Sequence, residues 1–295
     1  MNKLPLAKRA QILSMLVEGS SMRSVSRVCD VSINTVTKLL EDAGEACVEH
    51  HDQTVRGVKA TKVQCDEIWS FCYSKQKNVA TAKRKDMAWG DVWTWTALEA
   101  DTKLLISYMI GGRDADYALA VMDDLRQRIT NRVQLTTDGH SAYLQAVEEA
   151  FGADVDYAQL VKLYGTAPEA LQGRYSPPVC IGARKSEITG QPDPNHVSTS
   201  YVERANLTMR MAMRRFTRLT NAFSKKFANH CHMVALYVTW YNFIKQHKTL
   251  KGITPAMAAG VSDKLWSMED VVALIDARAA KPVRPATYRK KGETA

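Results

Sequence analysis

An acidic pair, Asp66-Glu67, interrupts a run of residues that otherwise has the composition of a buried β-strand. The run spans 63–73 and is rich in β-branched and aromatic side chains. A carboxylate inside a buried strand is costly unless it is paired or bound to a metal. Neighbouring strand positions face opposite sides, so Asp66 and Glu67 point to different layers. We take Asp66 as the candidate functional residue and keep Glu67 as its alternative.

The segments around this run predict an α/β fold. The order is strand 63–73, strand 92–98, strand 104–110, helix 115–129, strand 133–139, helix 141–151 and strand 155–160. An antiparallel hairpin followed by a crossover helix to a strand parallel to the first is the ribonuclease H-like arrangement. We therefore predict a mixed five-stranded sheet with helices.

A second carboxylate, Asp138, closes the fourth predicted strand as Asp138-Gly139. Asp-Gly is common in turns, so Asp138 taken alone could be only a turn residue. In the predicted topology, however, the first and fourth strands are neighbours, and Asp66 and Asp138 face each other. Two close carboxylates repel and favour a bridging cation, and oxygen ligands suit Mg²⁺ or Mn²⁺. The pair therefore predicts a metal site.

A third carboxylate, Glu203, stands in the first turns of a long predicted helix that Ser198 or Thr199 can cap. The Pro- and Gly-rich segment before it, 165–197, predicts a long loop. Glu203 could merely balance a basic stretch, and Asp193 and Glu187 are alternatives for its role. A metal ligand beside arginines that bind phosphate fits better if the substrate is a DNA backbone. The predicted DNA-binding arginines are Arg204, Arg210, Arg214, Arg215 and Arg218.

The first fifty residues predict a helix-turn-helix unit that precedes the sheet. Helices are predicted over 8–17, 22–28 and from the cap Ser32 to about Glu41, with Gly44 closing the third. The residues predicted to face a DNA major groove are Asn34, Thr35, Thr37 and Lys38. The alternative is a three-helix bundle that contacts another protein. Val28 is predicted to point inward.

Charge and cysteine usage narrow the class of protein. Lys and Arg outnumber Asp and Glu by 40 to 31, a surplus that favours a polyanionic partner. None of the cysteines forms a C-x-x-C pair, so a zinc ribbon is not expected. His230 and His232, two apart on a predicted helix, are interpreted as packing or surface residues. No apolar run is long enough for a membrane span, and a cytoplasmic protein is expected.

Three blocks of sequence, taken together, resemble the insertion sequence 1 group of bacterial transposases. They are Cys65-Asp66-Glu67-Ile68-Trp69-Ser70, then Thr137-Asp138-Gly139, then 203–210 followed by 214–225. The resemblance covers most of residues 60–245. It implies a DDE catalytic core in which Asp66, Asp138 and Glu203 are the metal-binding residues, with a basic residue seven positions after the glutamate, matched here by Arg210.

The same resemblance implies an activity, cofactors and partners. Metal-dependent cleavage and strand transfer would use two Mg²⁺ or Mn²⁺ ions per site, with Asp66 bridging both and Asp138 and Glu203 each completing one shell. The expected partners are double-stranded DNA, as terminal inverted repeats and as target, and further copies of the chain in a dimer or larger assembly. The expected location is the bacterial cytoplasm, at the nucleoid.

Two other functions remain open from the residues alone. One is a helix-turn-helix regulator that binds DNA without cutting it; three ordered carboxylates argue against this, since a DNA-binding surface gains nothing from buried negative charge. The other is a ribonuclease H-like nuclease without strand transfer. The predicted domains are a helix-turn-helix domain at 1–48, a linker at 49–61, the catalytic domain at 62–245 and a helical, basic tail at 246–295.

Overall fold

A computed structural model describes residues 3–81, 89–165, 179–216 and 222–279. The helices are α1 (Leu6–Val17), α2 (Met22–Val28), α3 (Ile33–Thr54), α4 (Gln76–Val79), α5 (Ala115–Arg128), α6 (Ala142–Phe151), α7 (Ser200–Ala212), α8 (Phe227–Thr239), α9 (Pro255–Ala258) and α10 (Met268–Arg278). The strands are β1 (Lys62–Cys72), β2 (Gly90–Glu99), β3 (Leu105–Gly111), β4 (Gln134–Asp138), β5 (Asp156–Gly165) and β6 (Val179–Thr189).

The strands form one mixed sheet in the order β3-β2-β1-β4-β5-β6. The β1–β2 and β2–β3 pairs are antiparallel, whereas β4 runs parallel to β1 and β5 runs parallel to β4. Helix α5 makes the crossover from β3 to β4, and α6 connects β4 to β5. The ribonuclease H-like prediction is therefore confirmed for the first five strands.

The sixth strand corrects the prediction of one long loop over 165–197. β6 pairs antiparallel with β5, from Tyr157↔Thr189 to Gly165↔Val179. Its side chains include Ile181, which is 70% exposed. An edge strand with so few buried positions has no alternation of apolar and polar residues for the sequence to show. The predicted five-stranded sheet is thus one strand short.

Helix α3 is much longer than predicted, because it continues past Glu41 and Gly44 to Thr54. Gly44 does not close the helix: it lies inside it, where a Cβ would overlap the backbone and side chain of His232 on α8. The glycine allows α3 and α8 to cross closely, so the prediction that it ends the third helix is wrong. Residues 49–54 of the predicted linker accordingly form the last turns of α3.

The two faces of the sheet are covered by different helices. α5 and α6 bury Leu125 and Tyr143 against one face, together with Trp95 of β2. On the other face, one continuous apolar cluster joins the sheet to α7, α8, α10 and the three N-terminal helices, and it includes Leu40 and Leu236. The N-terminal helices therefore share a core with the sheet instead of packing only on themselves.

Ion pairs tie the C-terminal helix α10 to the N-terminal helices. Arg9 of α1 donates two hydrogen bonds to Asp276, at 2.6 and 2.9 Å, and Lys3 pairs with the same carboxylate. Arg278 bridges Glu45 and Glu49 of α3 at 2.7 Å from each. Because α10 contacts both α1 and α3, it holds the N-terminal unit against the rest of the chain.

A second connection fixes the end of α3 to the sheet domain. Arg128 at the end of α5 is buried, and it donates to the Val55 carbonyl at 3.0 Å and to Asp52 at 3.0 Å. The His51 ring approaches the Leu105 carbonyl at the start of β3. Burial lowers the pKa of His51 to about 4, so this ring is neutral at physiological pH.

Two smaller predictions have clear outcomes. Val28 was predicted to point inward, but it is 64% exposed, because α2 ends there and only Val25 of this helix is buried. His230 is fully buried and His232 faces α3, which agrees with their interpretation as packing residues. Among the described helices, none has the length and apolar character needed to cross a bilayer.

Candidate active site

The parallel register of β1 and β4 brings Asp66 beside Asp138. Cys65 is the partner of Thr137, so the next residue on each strand is one of the two aspartates. Both side chains line an open cleft of about 700 Å³ at the carboxyl end of β4. The sequence-based expectation that these carboxylates face each other agrees with this geometry.

Glu67, the alternative to Asp66, enters the same site from the other side of β1. One carboxylate oxygen from each of Asp66, Glu67 and Asp138 lies within 4.8 Å of the others. In the described part of the chain, no group that contains Glu203 meets this distance. The tightest acidic cluster therefore contains Glu67 in the place where the sequence suggested Glu203.

A short network holds the Asp66 carboxylate in place. Asn206 of α7 donates from Nδ2 to Asp66 Oδ2 at 2.8 Å. The other end of the same amide accepts a hydrogen bond from Thr96 of β2 at 3.0 Å. Because Asn206 is buried and both ends of its amide are satisfied, it fixes the orientation of Asp66.

Glu203 is positioned by the way in which α7 begins. The Gln64 side chain accepts hydrogen bonds from the backbone amides of Tyr201 and Val202, at 2.9 and 3.1 Å. These amides have no partner within the helix, so Gln64 attaches the start of α7 to β1. Glu203 then lines the cleft, where its Oε1 accepts from Lys162 Nζ at 2.6 Å and from Thr199 at 2.5 Å.

Arg113, just after β3, supplies a positive charge beside the acidic cluster. Its Nη2 lies 3.4 Å from Glu67 Oε2 and 3.8 Å from Asp138 Oδ2. Its guanidinium also stacks on Trp93, 4.6 Å from the ring centroid. Arg113 is therefore shared between an aromatic face and two carboxylates, with no short ion pair to either carboxylate.

Burial and mutual repulsion make the acidic cluster electrostatically unfavourable without a cation. Burial raises the pKa of Asp66 to about 6, and repulsion from Asp138 acts in the same direction although Asn206 opposes it. Burial also raises the pKa of Glu67 to about 7; Asp138 adds to this rise and Arg113 reduces it. Such shifts favour the binding of a positive charge near neutral pH.

The predicted basic residues fall into different environments. Arg210 lines the cleft together with Glu203. The two residues lie on the same face of α7, about two turns apart. Arg204 and Arg214 are exposed. Arg215 instead donates to Ser224 at 2.9 Å and contacts Met22 of α2, so it connects α2 to the sheet domain. Arg218 lies outside the described residues.

The helix-turn-helix candidates lie at the start of α3. Asn34 and Lys38 are exposed, whereas Thr35 and Thr37 are partly buried. Ser32 caps the helix by accepting from the Asn34 amide at 3.2 Å. The expected cap is thus present, and this turn of α3 is open to solvent.

The two alternatives to Glu203 do not line the cleft. Asp193 hydrogen-bonds through its backbone with Gln134, at the opposite end of β4 from Asp138. Glu187 is exposed on β6, where it pairs with Ala158. Neither carboxylate lies at the end of the sheet where Asp66 and Asp138 meet.

Sequence reasoning missed three polar residues that shape the site. Gln64 stands two residues before Asp66 and so shares its face of β1, a signal that strand periodicity does provide. Lys162 was missed because β5 was predicted to stop at 160. Arg113 follows a Gly-Gly pair, and nothing local to the sequence indicates that it turns toward Glu67.

Comparisons with known proteins give only distant likenesses. No family model matches the chain, and no curated protein matches it. Among solved structures, it is similar to the Mos1 strand transfer complex, at 15% identity and a TM-score of 0.23, over 53% of this chain and 59% of that one. A pre-cleavage Mos1 transpososome matches at 13% identity and a TM-score of 0.21, over 53% and 60%.

A cryo-EM structure of a piggyBac transposase synaptic complex with hairpin DNA is also similar, at 11% identity and a TM-score of 0.35, over 95% of this chain and 73% of that one. The chain spans less than two thirds of either Mos1 chain. Likenesses this distant do not establish a shared activity.

Proposed function

We propose that this protein is a DDE-type DNA transposase, with Asp66, Asp138 and Glu203 as its catalytic carboxylates. The observation that carries the proposal is the β1–β4 register, which brings Asp66 beside Asp138 in a cleft that Glu203 also lines. The assignment to the insertion sequence 1 group of bacterial elements, and to the nucleoid, rests on the resemblance of the three sequence blocks.

The residues of the cleft fit a divalent cation. The donor set consists of carboxylate oxygens, which Mg²⁺ and Mn²⁺ prefer. Glu67 Oε1 is buried without a hydrogen-bond partner among the described residues, and the pKa values of Asp66 and Glu67 are raised toward neutrality. We propose two Mg²⁺ or Mn²⁺ ions; when bound, they would lower the pKa of the attacking hydroxyl and stabilise charge on the transferred phosphate.

The chain's own residues orient the reacting groups. Asn206 holds Asp66 from one side, and Gln64 fixes the helix that carries Glu203. Arg210 and Lys162 bring positive charge to the same cleft, where a DNA phosphate would sit. The exposed Arg204 and Arg214 extend this charge along α7 and beyond its end.

DNA recognition is proposed for the start of α3. Asn34 and Lys38 are exposed there, and Thr35 and Thr37 lie between them in the sequence. The Lys38 ammonium group pairs with the Asp42 carboxylate at 2.6 Å. The substrates are the element's terminal inverted repeats and a target duplex. Because two ends must be cut and joined in one reaction, we propose a homodimer or a larger assembly.

The test is a strand-transfer assay. Labelled DNA from either side of the gene, with a target plasmid and Mg²⁺, should yield both cut and joined strands. Asp66→Asn, Asp138→Asn and Glu203→Gln should each abolish both products and leave DNA binding largely intact. Full cleavage by one variant would remove that residue from the set. Cut strands without joined ones would indicate a nuclease, and binding without cutting would indicate a regulator.

A further inference from the structure

Glu67 is a fourth carboxylate in the cleft. The three proposed catalytic carboxylates are Asp66, Asp138 and Glu203, so Glu67 has no assigned role. Its side chain is only 1% exposed, although it belongs to the face of β1 opposite to Asp66. It pairs with Trp95 across the β1–β2 ladder. A glutamate at a position that otherwise faces an apolar layer requires a partner of positive charge.

The end of β4 explains how the Glu67 carboxylate reaches Asp138. The β1–β4 pairing ends with Cys65↔Thr137, and β4 itself ends at Asp138. Glu67 lies beyond this last pair, so no strand blocks its side chain on that side. Its carboxylate can therefore meet Asp66 and Asp138 at the strand end, all within 4.8 Å.

The contacts of Glu67 with the protein do not satisfy it. Arg113 reaches Oε2 at 3.4 Å, longer than a charge-assisted hydrogen bond, and it is held on the Trp93 ring. Oε1 is buried and meets no hydrogen-bond partner among the described residues. The Tyr143 hydroxyl, buried beside it, lies close enough to lower the pKa of Glu67. A purely structural ion pair would not leave one oxygen of a buried carboxylate unused.

Glu203 differs, because it is already occupied. Its Oε1 accepts from both Lys162 and Thr199, and its side chain is 37% exposed. A cation that approaches the cleft therefore meets three clustered, mutually repelling carboxylates at the strand end before it meets Glu203. Among the described residues, the cation that pairs with them is Arg113, at 3.4 Å from Glu67 and 3.8 Å from Asp138. Release of Glu203 requires Lys162 to move or to find another anion.

We propose that Glu67 is a metal ligand, and that Asp66, Glu67 and Asp138 form a first cation site which binds Mg²⁺ or Mn²⁺ without Glu203. This inference rests on the proposed function for the identity of the cation. Glu203 then completes only the second site, once a DNA phosphate competes for Lys162. The assembly of the site is thereby ordered, with the first cation before DNA and the second with it.

The experiment measures Mn²⁺ binding to the full-length protein without DNA, by calorimetry and by the electron paramagnetic resonance of free Mn²⁺. Glu67→Gln and Asp66→Asn should each weaken the tighter Mn²⁺ site by about tenfold or more. Glu203→Gln should leave that site within about twofold of the wild type. The matched control is Glu187→Gln, an exposed glutamate away from the cleft. A Glu67→Gln variant with wild-type Mn²⁺ affinity would overturn the proposal.

A second variant guards against a folding defect. Glu67→Asp keeps the charge on a shorter side chain and should bind Mn²⁺ more tightly than Glu67→Gln but less tightly than the wild type. Equal affinity of these two variants would also contradict the role of Glu67. If Mn²⁺ binds through Glu67 but no DNA is cut, the proposed function fails and the site stands. If DNA is cut while Glu67→Gln keeps its Mn²⁺ affinity, the function stands and the inference fails.

Discussion

Lys162 Nζ lies 2.6 Å from Glu203 Oε1, so the proposed third catalytic carboxylate is neutralised by an ammonium group on β5. Both side chains are about one third exposed, which limits the strength of this pair in water. Glu203 can therefore exchange Lys162 for a metal ion, and Lys162 can exchange Glu203 for a phosphate.

Lys162→Met should increase the affinity of the weaker Mn²⁺ site in the absence of DNA, because the cation no longer competes with an ammonium group. An ion pair of this exposure contributes at most about 1 kcal/mol, so the gain should be about fivefold or less. Calorimetry measures it. Lys185→Met, on the neighbouring β6, is the control and should have no effect; a loss of Mn²⁺ affinity in Lys162→Met would contradict the competition.

Asn206→Ala should slow DNA cleavage about 10–100-fold in single-turnover assays, because Asp66 loses the group that orients it. The Asn206 hydrogen bond lowers the pKa of Asp66. Its removal should therefore shift the acid limb of the pH–rate profile to higher pH. Thr208→Ala removes a hydroxyl from the same helix whose hydrogen bond is to the Arg204 carbonyl, and it should change neither rate nor profile.

The pH dependence of stability should reveal Glu67. Burial raises its pKa to about 7 in the folded protein, so the folded state holds a proton that the unfolded state releases above about pH 4.3. The resulting stabilisation is complete below that pH and is lost as the pH rises through 7. Relative to Glu67→Gln, the metal-free wild type should lose up to about 3 kcal/mol between pH 4 and 8.

Urea denaturation at a series of pH values makes this comparison, because titrating groups away from the acidic cluster cancel between the two proteins. Saturating Mn²⁺ should remove most of the difference at pH 8, since the cation replaces the proton. If the free energy of unfolding depends on pH in the same way for the wild type and for Glu67→Gln, the surroundings of Glu67 do not raise its pKa.

Asp276→Asn should destabilise the fold by about 1–3 kcal/mol, because Arg9 is nearly buried and would lose its charged partner. Arg9 and Lys3 both lower the pKa of Asp276, so the same loss should develop in the wild type only at strongly acidic pH. Asp263→Asn changes an exposed aspartate just before α10 and serves as the control. Equal urea midpoints for the two variants would refute the role of this contact.

Gly44→Ala should also destabilise the fold, although alanine is the better helix former by about 1 kcal/mol. The added Cβ overlaps the His232 backbone, which cannot rotate away. Moving α3 away from α8 should cost more free energy than the higher helix propensity of alanine contributes. The expected net loss in the free energy of unfolding is about 1–3 kcal/mol. Gln53→Ala, on an exposed turn of α3, should stay within about 0.5 kcal/mol of the wild type; a stabilised Gly44→Ala would contradict the close crossing.

The order of the first five strands and the positions of the two aspartates could be predicted from the sequence. Strand periodicity is visible locally, and the fold topology implies that the first and fourth strands pair in parallel. Asp66 and Asp138 meet for that reason. β6 was not predictable in this way, since an exposed edge strand has no apolar face. Gly44 was misread because a glycine at a helix crossing and a glycine at a helix end look the same until the second helix is known.

The contacts of each carboxylate side chain could not be predicted from the sequence. Whether Glu203 faces solvent, a metal or Lys162 depends on a strand about forty residues earlier in the chain, and the reach of Glu67 depends on where β4 stops. Asn206 carried a partial signal, because it lies on the Glu203 face of α7, but its bond to Asp66 needs the packing of α7 on β1.

Helix α3 has 22 residues and is therefore about 33 Å long. Asn34 stands at one end of it, and His51, near the other, touches the first residue of β3. If α3 recognises DNA, the continuous helix keeps its recognition end at a fixed distance from the sheet. The distance between the bases it recognises and the phosphate in the cleft is then set by one helix, and inserting a half-turn of duplex between recognition site and cut site would place that phosphate on the wrong side of the DNA.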